Sequence, residues 1–275
     1  MIINEEQVDQ KINYQITGGG DIAVILIHGI PSSLDEWKFL AAQLAAAGYR
    51  SAALDLLGHG GSFHPESPVC YTVDAAYDYF DQWFSSLDIN APMILVGHSF
   101  GGHLAIRFAL DHPDKVRAIV LIDPFLSFGQ FSPIYRFFLS NPAAVAILYK
   151  LIPVPLIKAF VWWDNLRIER LRLRCSLSRE ERTAMAEDYK RCSPSIVYFP
   201  RSVCDNRFNY AEIKAPTLLI WGRNDHTLST RWYRKIAALI PNCSFAILNA
   251  KHYPHRTNQP EVNRIILDFL KSNSI

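Results

Sequence analysis

Ser99 stands between two glycines in Gly97-His98-Ser99-Phe100-Gly101, a G-x-S-x-G pattern with the strand-like run PMILV before it and the helix-like run GGHLAIRFAL after it. A serine hydroxyl is a poor nucleophile until a base takes its proton. That base needs an orienting carboxylate, and the oxyanion formed on attack at a carbonyl needs fixed donors. Each part has a candidate. His252 and His255 lie in a loop after the run CSFAILN, Asp225 follows PTLLIWG, and Asp123 ends VRAIVLID. The backbone N-H groups of Phe100 and Ile30 are the expected oxyanion donors; Pro31 has no N-H to offer. Asp123, directly before Pro124, also suits a turn or helix-cap role.

These residues need a frame that brings them together. Short aliphatic runs recur at 23–29, 50–55, 92–99, 116–123, 216–222 and 243–249, with helical patterns between most of them. Continuous apolar runs of this length fit strands covered on both faces, and their alternation with helices predicts a doubly wound α/β architecture with a mostly parallel sheet. In such a sheet the strand ends that carry Ser99, Asp123, Asp225 and the two histidines share one edge. A strand-to-helix turn at Ser99 is sharp, and glycines on either side relieve its crowding.

Helix boundaries are legible as well. Ser33 followed by Glu36 reads as a capping box opening a helix over Leu34 to Ala47, with Gly48 suited to the left-handed residue beyond its end. Pro260 suits the first turn of a final helix whose inward face is Ile265, Ile266, Phe269 and Leu270. Gly18-Gly19-Gly20 has no following Gly-Lys-Ser/Thr and reads as a hairpin turn rather than a phosphate loop. His28, His59 and His98 read as loop organisers. Between Asp123 and Glu212 the strand–helix rhythm stops, giving an aromatic-rich helical insertion. The expected organisation is a core of residues 1–123 and 213–275 with a helical cap over 124–212.

Composition narrows the function. A formal charge of +2 on 275 residues gives no strongly basic face, so no nucleic-acid partner is expected. Five cysteines without C-x-x-C spacing predict free buried thiols, neither disulfides nor a metal site, and no cofactor is called for. The longest apolar region, Pro142 to Trp163, is broken by Lys150, Pro153, Pro155 and Lys158, so no transmembrane segment is expected. The N-terminus lacks a signal-peptide pattern, which makes the cytoplasm the expected location.

The chain resembles the α/β-hydrolase superfamily, specifically its cap-bearing, esterase-like and C-C hydrolase-like members. The resemblance rests on HGIP at 28–31, DLLGHGGS at 55–62, GHSFGG at 97–102, WGRND at 221–225 and KHYPHRTNQPE at 251–261, in that superfamily's order. It implies an eight-stranded, mostly parallel twisted sheet flanked by helices, with any strand before Ile12 a weak one. It also implies His252, not His255, as the base, and supports Asp225 as the acid with Asp123 the runner-up. Lys251 stands where the superfamily usually has glycine.

The expected reaction is hydrolysis of a carboxylic ester, or a related acyl bond, of a small and largely apolar substrate through an acyl-enzyme at Ser99. Relatives with aspartate at the elbow act on haloalkanes or epoxides, and serine argues against that chemistry. Cleavage of a C-C bond or a thioester by the same groups, proton-transfer lyase chemistry, and a non-catalytic small-molecule receptor of the same fold remain alternatives. Arg167, Arg170, Arg172 and Arg174 point to different sides of a helix and read as a solvated basic surface.

Overall fold

The computed structural model describes residues 11–87, 89, 91–170, 177–203 and 208–275, with side chains described outside 163–170. Seven strands form one sheet: β1 (Tyr14–Thr17), β2 (Ala23–Ile27), β3 (Arg50–Leu54), β4 (Met93–His98), β5 (Val116–Ile122), β6 (Thr217–Gly222) and β7 (Cys243–Leu248). Their spatial order is β1-β3-β2-β4-β5-β6-β7, and every neighbouring pair is parallel except β1 with β3. Each aliphatic run named above contains one of these strands, with ends that differ by no more than a residue or two. The described residues hold seven strands where the resemblance implied eight; a weak strand before Ile12 would fall largely in residues 1–10, outside them.

Side chains alternate across the sheet and divide into two cores. Ile25, Leu95, Ile119, Leu121 and Trp221 face one way, against α2 (Val73–Ser86), α3 (Phe100–Asp111) and α9 (Trp232–Leu239). Val24, Leu26, Val96, Val120 and Ile220 face the other, against α1 (Lys38–Ala46) and α11 (Gln259–Ser272). The nearly continuous apolar runs reflect this double covering. In the final helix Ile266, Phe269 and Leu270 are buried, with Ile265 partly so.

Two local expectations are corrected. The glycines at 18–20 do not close a hairpin, because β3 lies between β1 and β2 and bonds to both. The capping box at Ser33 is not formed. The Ser33 hydroxyl accepts from the Asp35 N-H at 3.3 Å, residues Leu34–Trp37 make a 3₁₀ turn ahead of α1, and Glu36 turns inward to two histidines. Gly48, at φ +90°, does take the left-handed position after α1.

Between β5 and β6 the regular structure of the described residues is helical: α4 (Pro133–Leu139), α5 (Pro142–Leu151), α6 (Val154–Arg170), α7 (Arg179–Arg191) and the short α8 (Phe199–Ser202). Ile157, Val161, Leu177, Met185 and Ala186 form a small core of their own there. Short α10 (Pro254–Thr257) leads into α11. No single described helix is long and apolar enough to cross a membrane. Cys70, Cys192 and Cys243 are free thiols, but only Cys192 is buried: Cys70 is exposed in a short turn and Cys243 half-buried at the start of the edge strand β7, while Cys175 and Cys204 lie outside the described residues. So do Arg172 and Arg174, and the side chains of Arg167 and Arg170.

Candidate active site

Ser99 is the single residue between β4 and α3, with φ 49° and ψ −114°. Holding a non-glycine residue there costs on the order of 1–3 kcal/mol, which the surrounding contacts must offset. Its N-H donates to the carbonyl of Ile122 at 2.9 Å and its carbonyl accepts from the Phe125 N-H at 2.9 Å, tying the turn to the next strand. The flanking glycines are steric requirements. A Cβ on Gly97 would stand 2.5 Å from the Gly101 carbonyl oxygen, and one on Gly101 2.1 Å from that of Ile27.

His252 reaches Ser99 because the loop after β7 folds across the end of β6. The N-H groups of Arg223 and Asn224 donate to the carbonyls of Leu248 and Ala250 at 2.8 and 2.9 Å, stitching the two loops together. Gly222 lies under the crossing, where a Cβ would meet the Lys251 carbonyl oxygen at 2.0 Å. His252 Nδ1 is 2.8 Å from Asp225 Oδ2 and Nε2 is 3.0 Å from Ser99 Oγ. A nitrogen facing a carboxylate must donate, so the neutral ring carries its proton on Nδ1 and Nε2 is free to accept from the serine hydroxyl. Asp225 is held from behind, its Oδ1 accepting the N-H groups of Thr227 and Leu228 at 2.8 and 2.9 Å. All three side chains are buried.

Asp123 sits beside Asp225, not against the imidazole. Its Oδ1 accepts the Gly222 N-H at 2.9 Å. Burial first, then the charge of Asp225, push its carboxyl well above the ordinary carboxylate range, favouring the neutral acid. Ile30 and Phe100 line the same cavity as Ser99, and a Cβ on Gly29 would lie 3.0 Å from the Ser99 Cβ, so the loop after β2 approaches the elbow closely.

A second buried constellation lies behind the first. Glu36 Oε1 is 2.8 Å from His98 Nδ1 and accepts from His255 Nε2 at 3.0 Å, while His98 Nε2 donates to the backbone oxygen of His252 at 2.8 Å. Burial pushes the Glu36 carboxyl up, but the two imidazoles outweigh it and hold the group well below its ordinary range. Burial, against the pull of Glu36, pushes the His98 imidazole below its ordinary range, so the neutral ring carries its proton on Nε2, toward the His252 carbonyl. His255 therefore belongs to this cluster, with its ring stacked on Trp37 at 5.0 Å, and does not approach Ser99 as a rival base. Sequence reading missed Glu36, because Ser-x-x-Glu has a sufficient local explanation and His255 is 219 positions away. His28 accepts the Leu56 N-H at 3.0 Å and His59 bonds the Leu57 carbonyl at 2.8 Å, both as loop organisers.

Two trios, Glu36-His98-His255 and Asp123-Asp225-His252, bring metal-ligand atoms within 4.8 Å of one another. Glu36 Oε1 bonds His255 Nε2 in the first trio and Asp225 Oδ2 bonds His252 Nδ1 in the second, so a cation at either place would compete with a hydrogen bond already made.

Ser99 and His252 open onto a cavity of about 310 Å³. The core contributes Ile30, Phe100, Lys251 and His252, and the helices between β5 and β6 contribute Tyr135, Leu139, Phe160, Val161 and Met185. Among the described residues its lining is mostly apolar and aromatic, with one lysine and no carboxylate.

Comparison with known proteins agrees with this architecture. A family model described as alpha/beta hydrolase fold matches residues 22–259. Epoxide hydrolase 3 of Xenopus tropicalis is 29% identical over 96% of this chain and 76% of its own length. The 2-hydroxy-6-oxononadienedioate/2-hydroxy-6-oxononatrienedioate hydrolase 2 of Pseudomonas putida is also 29% identical, over 98% of this chain and 94% of its own. Among solved structures, a thermophilic esterase from Thermogutta terrifontis superposes with a TM-score of 0.76 at 21% identity, covering 96% of this chain and 94% of its own, a likeness of fold.

Proposed function

The chain belongs to the α/β-hydrolase fold family and is a hydrolase, and from that premise we propose that it is a serine hydrolase acting on the carboxylic ester, or a related acyl bond, of a small and largely apolar substrate. One observation carries this reading: Asp225, His252 and Ser99 make an unbroken hydrogen-bond chain with links of 2.8 and 3.0 Å, its serine facing a mostly apolar cavity.

As Ser99 Oγ attacks the acyl carbon, His252 Nε2 takes its proton, and Asp225 stabilises the imidazolium through Nδ1-H. The oxyanion accepts from the N-H groups of Ile30 and Phe100. His252 then protonates the departing alcohol, leaving an acyl-enzyme that water hydrolyses by the same proton route. Serine oxygen suits a carbonyl substrate in particular. Attack on an epoxide or alkyl carbon would leave an ether, which this machinery has no means to hydrolyse, whereas attack on an acyl carbon leaves an ester.

In this reading residues 124–212 are a cap that closes the cavity over the core of 1–123 and 213–275 and excludes water from the acyl-enzyme. The partner is a small molecule, and the steps above use only side chains and backbone of this chain. A second reading, hydrolysis of a C-C bond in a diketo acid, has Lys251 in its favour as a cation at the cavity wall. Among the described residues of the lining that lysine stands alone of its kind, less positive charge than the two carboxylates named in the Pseudomonas putida relative's substrate would ask for.

A fluorophosphonate probe followed by peptide mapping tests the nucleophile: labelling at Ser99, lost in Ser99→Ala, is the expected result, and labelling elsewhere would overturn it. Steady-state rates on a panel of short-chain esters, thioesters and vinylogous diketo acids then separate the two readings, with ester turnover expected to dominate.

A further inference from the structure

Helices α4, α5 and α6 are apolar on two sides. Leu139, Tyr149 and Val161 face the cavity. On the outside, Ile134 and Phe137 of α4 and Ile147 and Leu151 of α5 recur at helical spacing, and with Leu156 of α6 they are 61 to 76% exposed. These positions adjoin, since α4 packs on α5 and α5 passes into α6 through Ile152 and Pro153. Single exposed apolar residues are ordinary, but a cluster of this kind marks a surface made to be covered.

The charge pattern says by what. From Pro124 to Trp163 there is no aspartate or glutamate, and the charged side chains are Arg136, Lys150 and Lys158. Arg136 and Lys150 are exposed. Lys158 lies 4.0 Å from Glu187 of α7, so the net positive charge of this apolar face rests on Arg136 and Lys150, and such a face complements an anionic lipid surface. A second copy of the chain fits less well, because a two-fold contact would set these cations against their own counterparts. Pro142–Leu151 and Val154–Trp162 together have the apolar length of a membrane span, yet they meet at 102°. A pair so bent suits lying in the interface rather than crossing it.

We propose that the outer face of α4–α6 seats on an anionic phospholipid bilayer. The same helices line the cavity on their inner side, so an apolar substrate dissolved in the membrane would meet the site without crossing water. The seating does not depend on the identity of the nucleophile.

The test is co-sedimentation of the full chain with phosphatidylcholine vesicles, with or without about one third phosphatidylserine. Arg136 and Lys150 near the surface should favour the anionic vesicles on the order of 30-fold, an advantage that collapses at high salt. Replacing Phe137, Ile147 and Leu151 together by serine should lower partitioning by about tenfold for each. None of the three lines the cavity, so turnover of a water-soluble ester should be unchanged in that variant, which also verifies its fold. Ser99→Ala should sediment like the parent, so a failed hydrolase reading would leave the vesicle result standing. The proposal is overturned by absent or lipid-indifferent sedimentation, by a serine variant that still partitions like the parent, or by light scattering that shows a dimer which the serine variant dissociates.

Discussion

His98 Nε2 and the carbonyl oxygen of His252 lie 2.8 Å apart, so the residue beside the proposed nucleophile holds the main chain of the proposed base. Glu36 completes the line from behind, 2.8 Å from the other nitrogen of His98. A shift of about 1 Å at a reacting group can cost about a hundredfold in rate. His98→Ala is therefore expected to lower kcat by about that factor while KM stays within about threefold, because His98 does not line the cavity. Steady-state kinetics on a soluble ester provides the check. A rise in KM with kcat intact would show that the contact serves binding and not alignment.

The two aspartates should separate cleanly. Asp225 accepts from the imidazole and from two backbone N-H groups, whereas Asp123 accepts from Gly222 and tends to the neutral acid. Asp225→Asn should flip the favoured tautomer of His252 and reduce kcat about 10⁴-fold. Asp123→Asn replaces a neutral acid by a neutral amide of the same shape and should stay within about tenfold of the parent. Comparable losses in both variants would mean that the carboxylates share the role.

Much of this was legible in the sequence because it is written locally. Strands β2 to β7 announce themselves as aliphatic runs, and since parallel strands end on one edge, Ser99, Asp225 and His252 were expected there together. What stayed hidden depends on contacts between distant segments. Nothing near Glu36 shows that His98 and His255 will claim its carboxylate and leave the capping box unmade. Nothing near Gly18 shows that β3 will insert between the strands on either side. Gly222 likewise reads as the end of a strand, and only the crossing of Lys251 above it gives it a function.

That crossing makes a prediction of its own. In Gly222→Ala the new methyl would stand 2.0 Å from the Lys251 carbonyl oxygen, a backbone atom that can yield only if the loop carrying His252 moves. The N-H of residue 222 also holds Asp123, so the disturbance falls on both loops beside the imidazole. Activity should drop at least about a hundredfold, with slower fluorophosphonate labelling of Ser99 and a cooperative unfolding transition retained. Labelling at the parent rate would show that the loop absorbs the methyl without moving its histidine.

Acid should destabilise the fold well above the usual carboxylate range, because four buried imidazoles, those of His59, His98, His103 and His255, are held below their ordinary range and must gain protons. Burial pushes both His103 and His255 down to about 4, with the neighbouring Arg107 and His98 adding to it. In the unfolded chain each would titrate near about 6.5. Between those values the unfolded state binds more protons, so stability is present in full above about pH 6.5 and is lost as pH falls toward about 4. At pH 5 the loss is about 2 kcal/mol for each histidine. Glu36, held well below its ordinary range, adds a further loss at lower pH as its carboxylate is protonated. Urea unfolding at pH 7.5, 6 and 5 should show midpoints that fall at each step. His103→Gln, which removes one of these four groups, should make the fall shallower by about 2 kcal/mol at pH 5. Midpoints that stay level across that window would mean that these rings are not held neutral by the fold.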